Sequence, residues 1–118
     1  VSRILSSKSV IWKTARDFTD VEDMVQAYIL ASTKCASGEI YNIGAGRASK
    51  ISEILDLLQD ISGTKVEVVQ DSGRVRGVDV PILMADATKF RQATGWESKI
   101  SFKQTIKRVL EYWEDQVL

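Results

Sequence analysis

The 118-residue chain contains no histidine, one cysteine and one proline, and its sixteen basic residues are balanced by sixteen acidic ones. Each scarcity excludes a class of function. Without imidazole, a serine or cysteine nucleophile activated by histidine is ruled out, and with it most simple hydrolases. With a single thiol, no histidine and no carboxylates clustered at ligand spacing, the chain offers no zinc site. Lone Cys35 cannot form an internal disulfide. It lies near a predicted helix end and away from any basic cluster, so it reads as a packing residue, not a reactive thiol. A net charge of zero supplies no long-range field to draw in nucleic acid or an anionic membrane, so any anion must be held locally.

Nor is there an apolar run approaching the roughly 18 residues of a membrane span. Val1 to Leu5 lack the basic start, apolar stretch and small-residue cleavage site of a signal peptide. The expectation is a cytoplasmic protein with no membrane or nucleic-acid partner. An apolar fraction of 44% is normal for a globular chain. This length suits one domain, residues 1–118, burying ~60–70% of the surface its unfolded form exposes.

What is present is an alternation of extended and helical patterns. Ser9 to Trp12 is apolar enough for a strand, and Arg16-Asp17-Phe18-Thr19 reads as a second extended piece. Thr19-Asp20-Val21-Glu22 has capping-box spacing, with Thr19 as the cap and Glu22 reaching back. Val21, Met24, Val25, Tyr28 and Ile29 then recur at helical spacing as one apolar face, until Ser37-Gly38 stops the helix. Glu39 to Ile43 alternates like a half-buried strand and ends in the turn Gly44-Ala45-Gly46. A second helix follows, capped by Ser49, burying Ile51, Ile54, Leu55, Leu58 and Ile61, and leaving through Ser62-Gly63. Lys65 to Gln70 is valine-rich and predicts a third strand. Asp71 to Pro81 is a loop with ordered turns. Asp86 to Arg91 opens a short helix that Gly95 ends, after which Trp96 is expected to fold onto the core. Ser101-Phe102-Lys103-Gln104 is another capping box, and Phe102, Ile106, Val109, Leu110 and Trp113 mark the inner face of a last, long helix. The fold class is α/β, or closely mixed α+β, with a small sheet and three to four helices.

Three local patterns bear on chemistry. Gly44-x-Gly46-x-x-Ser49 sits between strand and helix, and Asp71 lies downstream as the acidic residue of a dinucleotide fingerprint would. Serine replaces the third glycine and too little chain follows for a nucleotide-binding sheet, so the glycines read as a tight turn. Arg16 and Arg76 could converge on one anion, since guanidinium forks suit phosphate oxygens. The alternative is an arginine paired with Asp17 or Asp79, and spacing alone prefers it. Trp12, Trp96 and Trp113 fall at strand or helix-face positions and read as core residues rather than base-stacking platforms.

Taken together, four segments resemble the carboxy-terminal half of the extended short-chain dehydrogenase/reductases that modify nucleotide sugars, especially the GDP-mannose 4,6-dehydratase and GDP-4-keto-6-deoxy-mannose reductase branch. They are Arg16-Asp17-Phe18-Thr19-Asp20-Val21-x-Asp23, Gly38-Glu39-x-Tyr41-Asn42-Ile43-Gly44-x-Gly46, Arg76-x-x-Asp79-Val80-Pro81, and Asp86-x-x-Lys89-Phe90-Arg91-x-x-Thr94-Gly95-Trp96. The resemblance implies that Arg16 and Arg76 contact the diphosphate of a nucleotide sugar and that Asp79 lies near its ribose. It reverses the preference set by spacing. It also implies that the glycine turn is structural and that the NAD(P) fingerprint belongs to a Rossmann domain this sequence does not contain. The family's Tyr-x-x-x-Lys pair, in which lysine lowers the tyrosine's pKa, is absent: Tyr28, Tyr41 and Tyr112 are followed four positions later by Ser32, Ala45 and Gln116. Lys13-Thr14-Ala15 replaces a longer glycine-containing connection before the first arginine, and Gly77 replaces a common proline after the second.

The expectation is therefore a truncated or separately encoded substrate domain with no catalytic, cofactor-binding or metal-binding residues of its own. Arg16, Arg76 and Asp79 would bind a nucleotide sugar, a GDP-sugar being favoured, weakly and in the micromolar-to-millimolar range for half a cleft. NAD(P) would enter only with a Rossmann-domain partner. The alternative is a non-catalytic interaction module whose uncovered apolar surface makes it a homo-oligomer.

Overall fold

A computed structural model describes residues 14–66 and 80–117. Within these, three short strands and four helices follow one another as β1 (Ala15–Asp17), α1 (Val21–Lys34), β2 (Ala48–Lys50), α2 (Ile51–Ser62), β3 (Ile82–Leu83), α3 (Thr88–Thr94) and α4 (Phe102–Val117). The fold is mixed α/β, as the alternation of patterns implies. The expected strand over Ser9–Trp12 and most of that over Lys65–Gln70 lie outside the described residues.

β1 is the centre of the sheet, in the order β2-β1-β3. It pairs antiparallel with β2, placing Arg16 opposite Ser49, and parallel with β3, placing Arg16 opposite Leu83. β2 was not legible in its sequence, Ala-Ser-Lys, which has little strand propensity. Ser49, the expected helix cap, is instead a strand residue. The α2 cap is Lys50, whose amide donates to Glu53 Oε2 at 3.1 Å. Conversely, Glu39 to Ile43 form no ladder with any of the described residues despite their alternation. A strand exists only with a neighbour, and the described residues place none beside this segment. Its Tyr41 and Ile43 still pack on the core, while Ile40 is 83% exposed.

The core lies between α1 and α3. Ala27, Phe90 and Trp96 are buried together, with Met24, Leu30, Ala31, Cys35, Tyr41 and Ile43 packed around them. Phe90 meets Trp96 at 5.8 Å and Tyr41 edge-on at 6.0 Å between ring centroids, within the favourable range for aromatic pairs. Gly95 ends α3 in the left-handed conformation at φ 73°. This turns the chain back so that Trp96 enters the core and its Nε1 donates to the carbonyl of Asp23 at 3.0 Å.

Two aspartates of α1 then fasten the chain beyond Trp96. Asp23, 5% exposed, accepts on Oδ2 from Ser98 Oγ and from the amides of Lys99 and Ile100 at 3.0–3.2 Å. Asp20 is the true N-cap of α1, in place of Thr19: its Oδ1 accepts from the Glu22 amide at 2.9 Å. Its Oδ2 accepts from Thr105 Oγ1 of α4 at 2.6 Å, and Arg108 lies 3.8 Å away. Burial pushes the Asp20 carboxyl up, but the bonds from Thr105 and Glu22 and the charge of Arg108 outweigh it, and its pKa is lowered overall. The capping box of α4 forms as expected, with Gln104 N donating to Ser101 Oγ and Ser101 N to Gln104 Oε1.

The buried faces differ from the expected ones. On α1 the buried residues are Asp23 and Ala27, whereas Val21, Val25, Tyr28 and Ile29 are exposed. On α4, Ile106 is buried and Phe102 half-buried against Phe18, but Val109 and Trp113 are exposed. Trp113 is therefore not a core residue. The apolar positions of α2 are half-buried, and none of its residues is fully buried. No helix among the described residues is long and apolar enough to cross a membrane.

Candidate functional site

The site is assembled at the centre of the sheet, where β1 presents Arg16 and Asp17. Strand alternation sends these consecutive side chains to opposite faces. The strand itself is held on both sides: Ala15 N donates to Pro81 O at 2.8 Å, and Ile51 N to Thr14 O at 3.2 Å. Ala15 is buried, so the backbone carrying Arg16 is anchored rather than frayed.

Arg16 reaches toward the chain entering β3. Its Nη1 donates to its neighbour's carbonyl, Ala15 O, and to Val80 O, both at 2.9 Å. Val80 directly follows Asp79 and lies four residues beyond Arg76 in the sequence. Parallel pairing of β1 with β3 thus brings Arg16 to the end of the Arg76-x-x-Asp79 motif, although 64 residues separate Arg16 from Val80. Arg76 and Asp79 themselves lie outside the described residues, as does the loop Asp71–Asp79.

Asp17 is not the partner of Arg16 that spacing allowed. Its Oδ2 accepts from the amides of Gly46 at 2.9 Å and Ala85 at 3.1 Å, and its Oδ1 is buried with no hydrogen-bond partner among the described residues. Thr19 is used similarly: instead of capping α1, its Oγ1 accepts from Ala45 N at 3.0 Å. Two side chains at the end of β1 therefore hold the glycine turn by successive amides. Gly46 adopts φ +79°, a conformation that favours glycine. These bonds give the turn a structural role, in line with the reading of the glycines as a turn.

Beside Asp17 the surface opens into a cleft of about 600 Å³, lined by Arg16, Asp17, Asn42, Leu83, Met84 and Asp86 among others. Asp86 faces the start of α3 and accepts on Oδ1 from Thr88 N at 3.0 Å and Thr88 Oγ1 at 2.5 Å. Those two bonds hold its carboxyl below the usual range. On the far side of the core, Lys89 donates to Glu39 Oε2 at 2.6 Å and to Ile40 O at 3.0 Å, and its ammonium lies 4.8 Å from the Tyr41 ring centre. The hydrogen bond to Glu39 raises the Lys89 pKa, and the same bond lowers that of Glu39. Lys89 is thereby spent on tying residues 39–41 to α3. Among the described residues, no group of histidine, cysteine, aspartate or glutamate could hold a metal ion.

Spacing allowed Asp17 to pair with an arginine and set Asp20 in the capping segment of the first helix. Asp17, Asp20 and Asp23 instead accept hydrogen bonds from segments 29 to 85 residues distant. Their signal was present in the tight repetition of short acidic side chains around a strand-to-helix junction, but the donors they serve are remote in sequence.

The family described as GDP-mannose 4,6 dehydratase matches residues 11–109. Among curated relatives, the GDP-6-deoxy-D-mannose reductase of Pseudomonas aeruginosa is 34% identical over 103 residues, covering 87% of this chain and 34% of that protein. The UDP-glucuronate 4-epimerase of Thermodesulfobacterium geofontis is 30% identical, with 87% and 31% covered. Among solved structures, RMD from Pseudomonas aeruginosa complexed with NADPH superposes with a TM-score of 0.87 at 32% identity, over 92% of this chain and 36% of that one. The UDP-glucose 4-epimerase of Thermotoga maritima, solved with UDP-glucose, gives 0.81 at 30% identity, over 99% and 36%. The chain spans about a third of the length of the curated relatives it matches. With its motifs, its fold and these matches in agreement, the chain belongs to the GDP-mannose 4,6 dehydratase family of extended short-chain dehydrogenase/reductases and corresponds to their carboxy-terminal part.

Proposed function

We propose that this chain provides the nucleotide-sugar-binding portion of an NAD(P)-dependent sugar-nucleotide dehydratase, reductase or epimerase, and that it performs no chemistry alone. Arg16 and Arg76 bind the diphosphate, and Asp79 accepts from ribose hydroxyls. The observation that supports this most directly is the bond from Arg16 to Val80 O, which draws the guanidinium to the end of the second motif. Guanidinium forks suit a diphosphate because each charge-assisted bond is worth roughly 1.5–3 kcal/mol net. A GDP-sugar is favoured because the family and a 34% identical relative both carry a GDP-sugar name.

The sequence has no Tyr-x-x-x-Lys pair and no Rossmann fingerprint, so proton transfer and NAD(P) binding fall to a dinucleotide-binding partner domain. Calorimetric titration with GDP, GDP-mannose and a UDP-sugar at millimolar ligand tests the assignment. Binding that disappears in Arg16→Ala and in Arg76→Ala supports it. Absence of heat with every ligand sinks it for this chain alone.

A second reading is supported by the exposed apolar residues of α1 and α4. Val21, Val25, Tyr28 and Ile29 on one helix and Val109, Tyr112, Trp113 and Val117 on the other leave more apolar surface than single scattered residues would. In this reading the chain is an interaction module that self-associates or seats a Rossmann-domain partner. Light scattering across a concentration series checks it: a strictly monomeric profile counts against self-association, and retention of monomer with an added dinucleotide-binding domain counts against both forms.

A further inference from the structure

Three segments that are distant in sequence meet at one oxygen. Asp17 Oδ2 accepts from Gly46 N in the glycine turn and from Ala85 N in the chain leaving β3. Space for this junction depends on Gly44, where a Cβ would stand 2.4 Å from Ala85 Cβ and 2.9 Å from Asp17 Oδ2. On the opposite face of β1, Arg16 holds Val80 O in the chain entering β3. β1 therefore grips the β3 segment at both ends, by Arg16 at residue 80 and by Asp17 at residue 85. The arrangement has a cost, because Asp17 Oδ1 is buried with no hydrogen bond among the described residues. Asp17 as a whole is half-buried, and an apolar residue in its place would leave the Gly46 and Ala85 amides without their acceptor, so the carboxylate is kept for the two bonds it accepts.

We propose that Asp17 is a positioning residue for Arg16. By pinning Gly46 and Ala85 to the end of β1, it fixes the register that sets Arg16 opposite Leu83 and presents the guanidinium to the segment following Asp79. The inference rests on the reading of Arg16 as a diphosphate contact. It adds that the acidic half of the Arg16-Asp17 pair acts through backbone amides rather than through the ligand.

Three variants of the full chain separate this from a purely structural role. Asp17→Asn keeps an acceptor oxygen for both amides, Asp17→Ala removes it, and Gly44→Ala disturbs the same junction from the turn without altering any group on β1. GDP and UDP affinities are measured by calorimetry, and the Arg16 side-chain Nε–H resonance is followed by NMR without ligand. Asp17→Ala and Gly44→Ala are expected to weaken nucleotide binding about tenfold and to move the Arg16 resonance, while Asp17→Asn stays within about threefold of the original on an affinity scale where tenfold is ~1.4 kcal/mol. Should Asp17→Ala not fold, Gly44→Ala carries the same expectation.

Unchanged affinity and an unmoved Arg16 resonance in a folded Asp17→Ala or Gly44→Ala protein would overturn the proposal, even if the melting temperature dropped. Equal damage from Asp17→Asn and Asp17→Ala would overturn it too, because charge rather than the acceptor would then be at work. If the unaltered chain binds neither nucleotide, the diphosphate reading fails and the Arg16 resonance alone decides: movement in Asp17→Ala supports positioning, and none refutes it.

Discussion

The two sides of α1 behave as different molecules. One side carries Asp23 and Ala27 into a closed environment, where Phe90 and Trp96 are buried and both Asp20 and Asp23 accept from donors in remote segments. The other side carries Val21, Val25, Tyr28 and Ile29, which are larger and more apolar, into solvent. Hydrophobicity alone would have chosen the second side as the interior. What decides otherwise is that small Ala27 lets the Phe90 and Trp96 rings approach the helix, and that Asp23 can serve three donors only from within. The stability of this chain therefore resides in a narrow wedge between α1 and α3, while much of its apolar surface remains available for contact.

That contrast can be broken from the inside first. Phe90→Ala empties the centre of the wedge and is expected to cost about 3–5 kcal/mol, read as a fall in the denaturant midpoint. If the change cost less than a surface substitution, the wedge would not be the core. Asp23→Ala should follow, at roughly 2–3 kcal/mol, because it leaves the Lys99 and Ile100 amides without their acceptor. Hydrogen exchange would report it as faster exchange at those two amides specifically.

Asp20→Ala is smaller, about 1–2 kcal/mol for a lost N-cap with its bond to α4. It also has a pH signature. Since the folded pKa of Asp20 is lowered, its contribution is fully present above the ordinary carboxyl range near 3.8 and fades as pH falls through the folded value. The stability gap between the original chain and Asp20→Ala should therefore close on acidification below that range. A gap independent of pH would mean that the carboxylate's charge is not what Thr105 and Arg108 recognise.

On the open side, Val25→Ser and Tyr28→Ser are expected to alter unfolding stability by no more than about 0.5 kcal/mol, as exposed positions do. They should nevertheless lower any concentration-dependent association seen by light scattering. Loss of several kcal/mol from either would show that this side is buried in the protein as it exists in solution.

Much of the local structure was legible. The capping box at Ser101, the left-handed exits at Gly63 and Gly95 and the return of Trp96 to the core follow from short-range chemistry, and all are present. Legibility stopped where a neighbour was required. Glu39 to Ile43 has a strand's alternation but no ladder among the described residues, and Ala48–Lys50 has no strand signal but pairs with β1. Thr19 looked like a cap and holds a turn; Ser49 looked like a cap and faces Arg16. Of the candidate site, the choice of Arg16, Arg76 and Asp79 came from family resemblance, not from spacing. Of these, only Arg16 lies among the described residues, where it donates to Val80 O.

The sequence by itself determined which segments are helical and several of their ends, that it holds no imidazole, no second thiol and no Tyr-x-x-x-Lys pair, and, through four ordered motifs, the family. These depend on residues within a few positions of one another or on composition. Tertiary structure alone decided which face of α1 is inside, that the motif aspartates serve as acceptors for remote amides, and that Arg16 meets residue 80. Each of those outcomes depends on parallel and antiparallel pairing around β1 and on packing between α1 and α3, where partners lie tens of residues apart and local preference gives no direction.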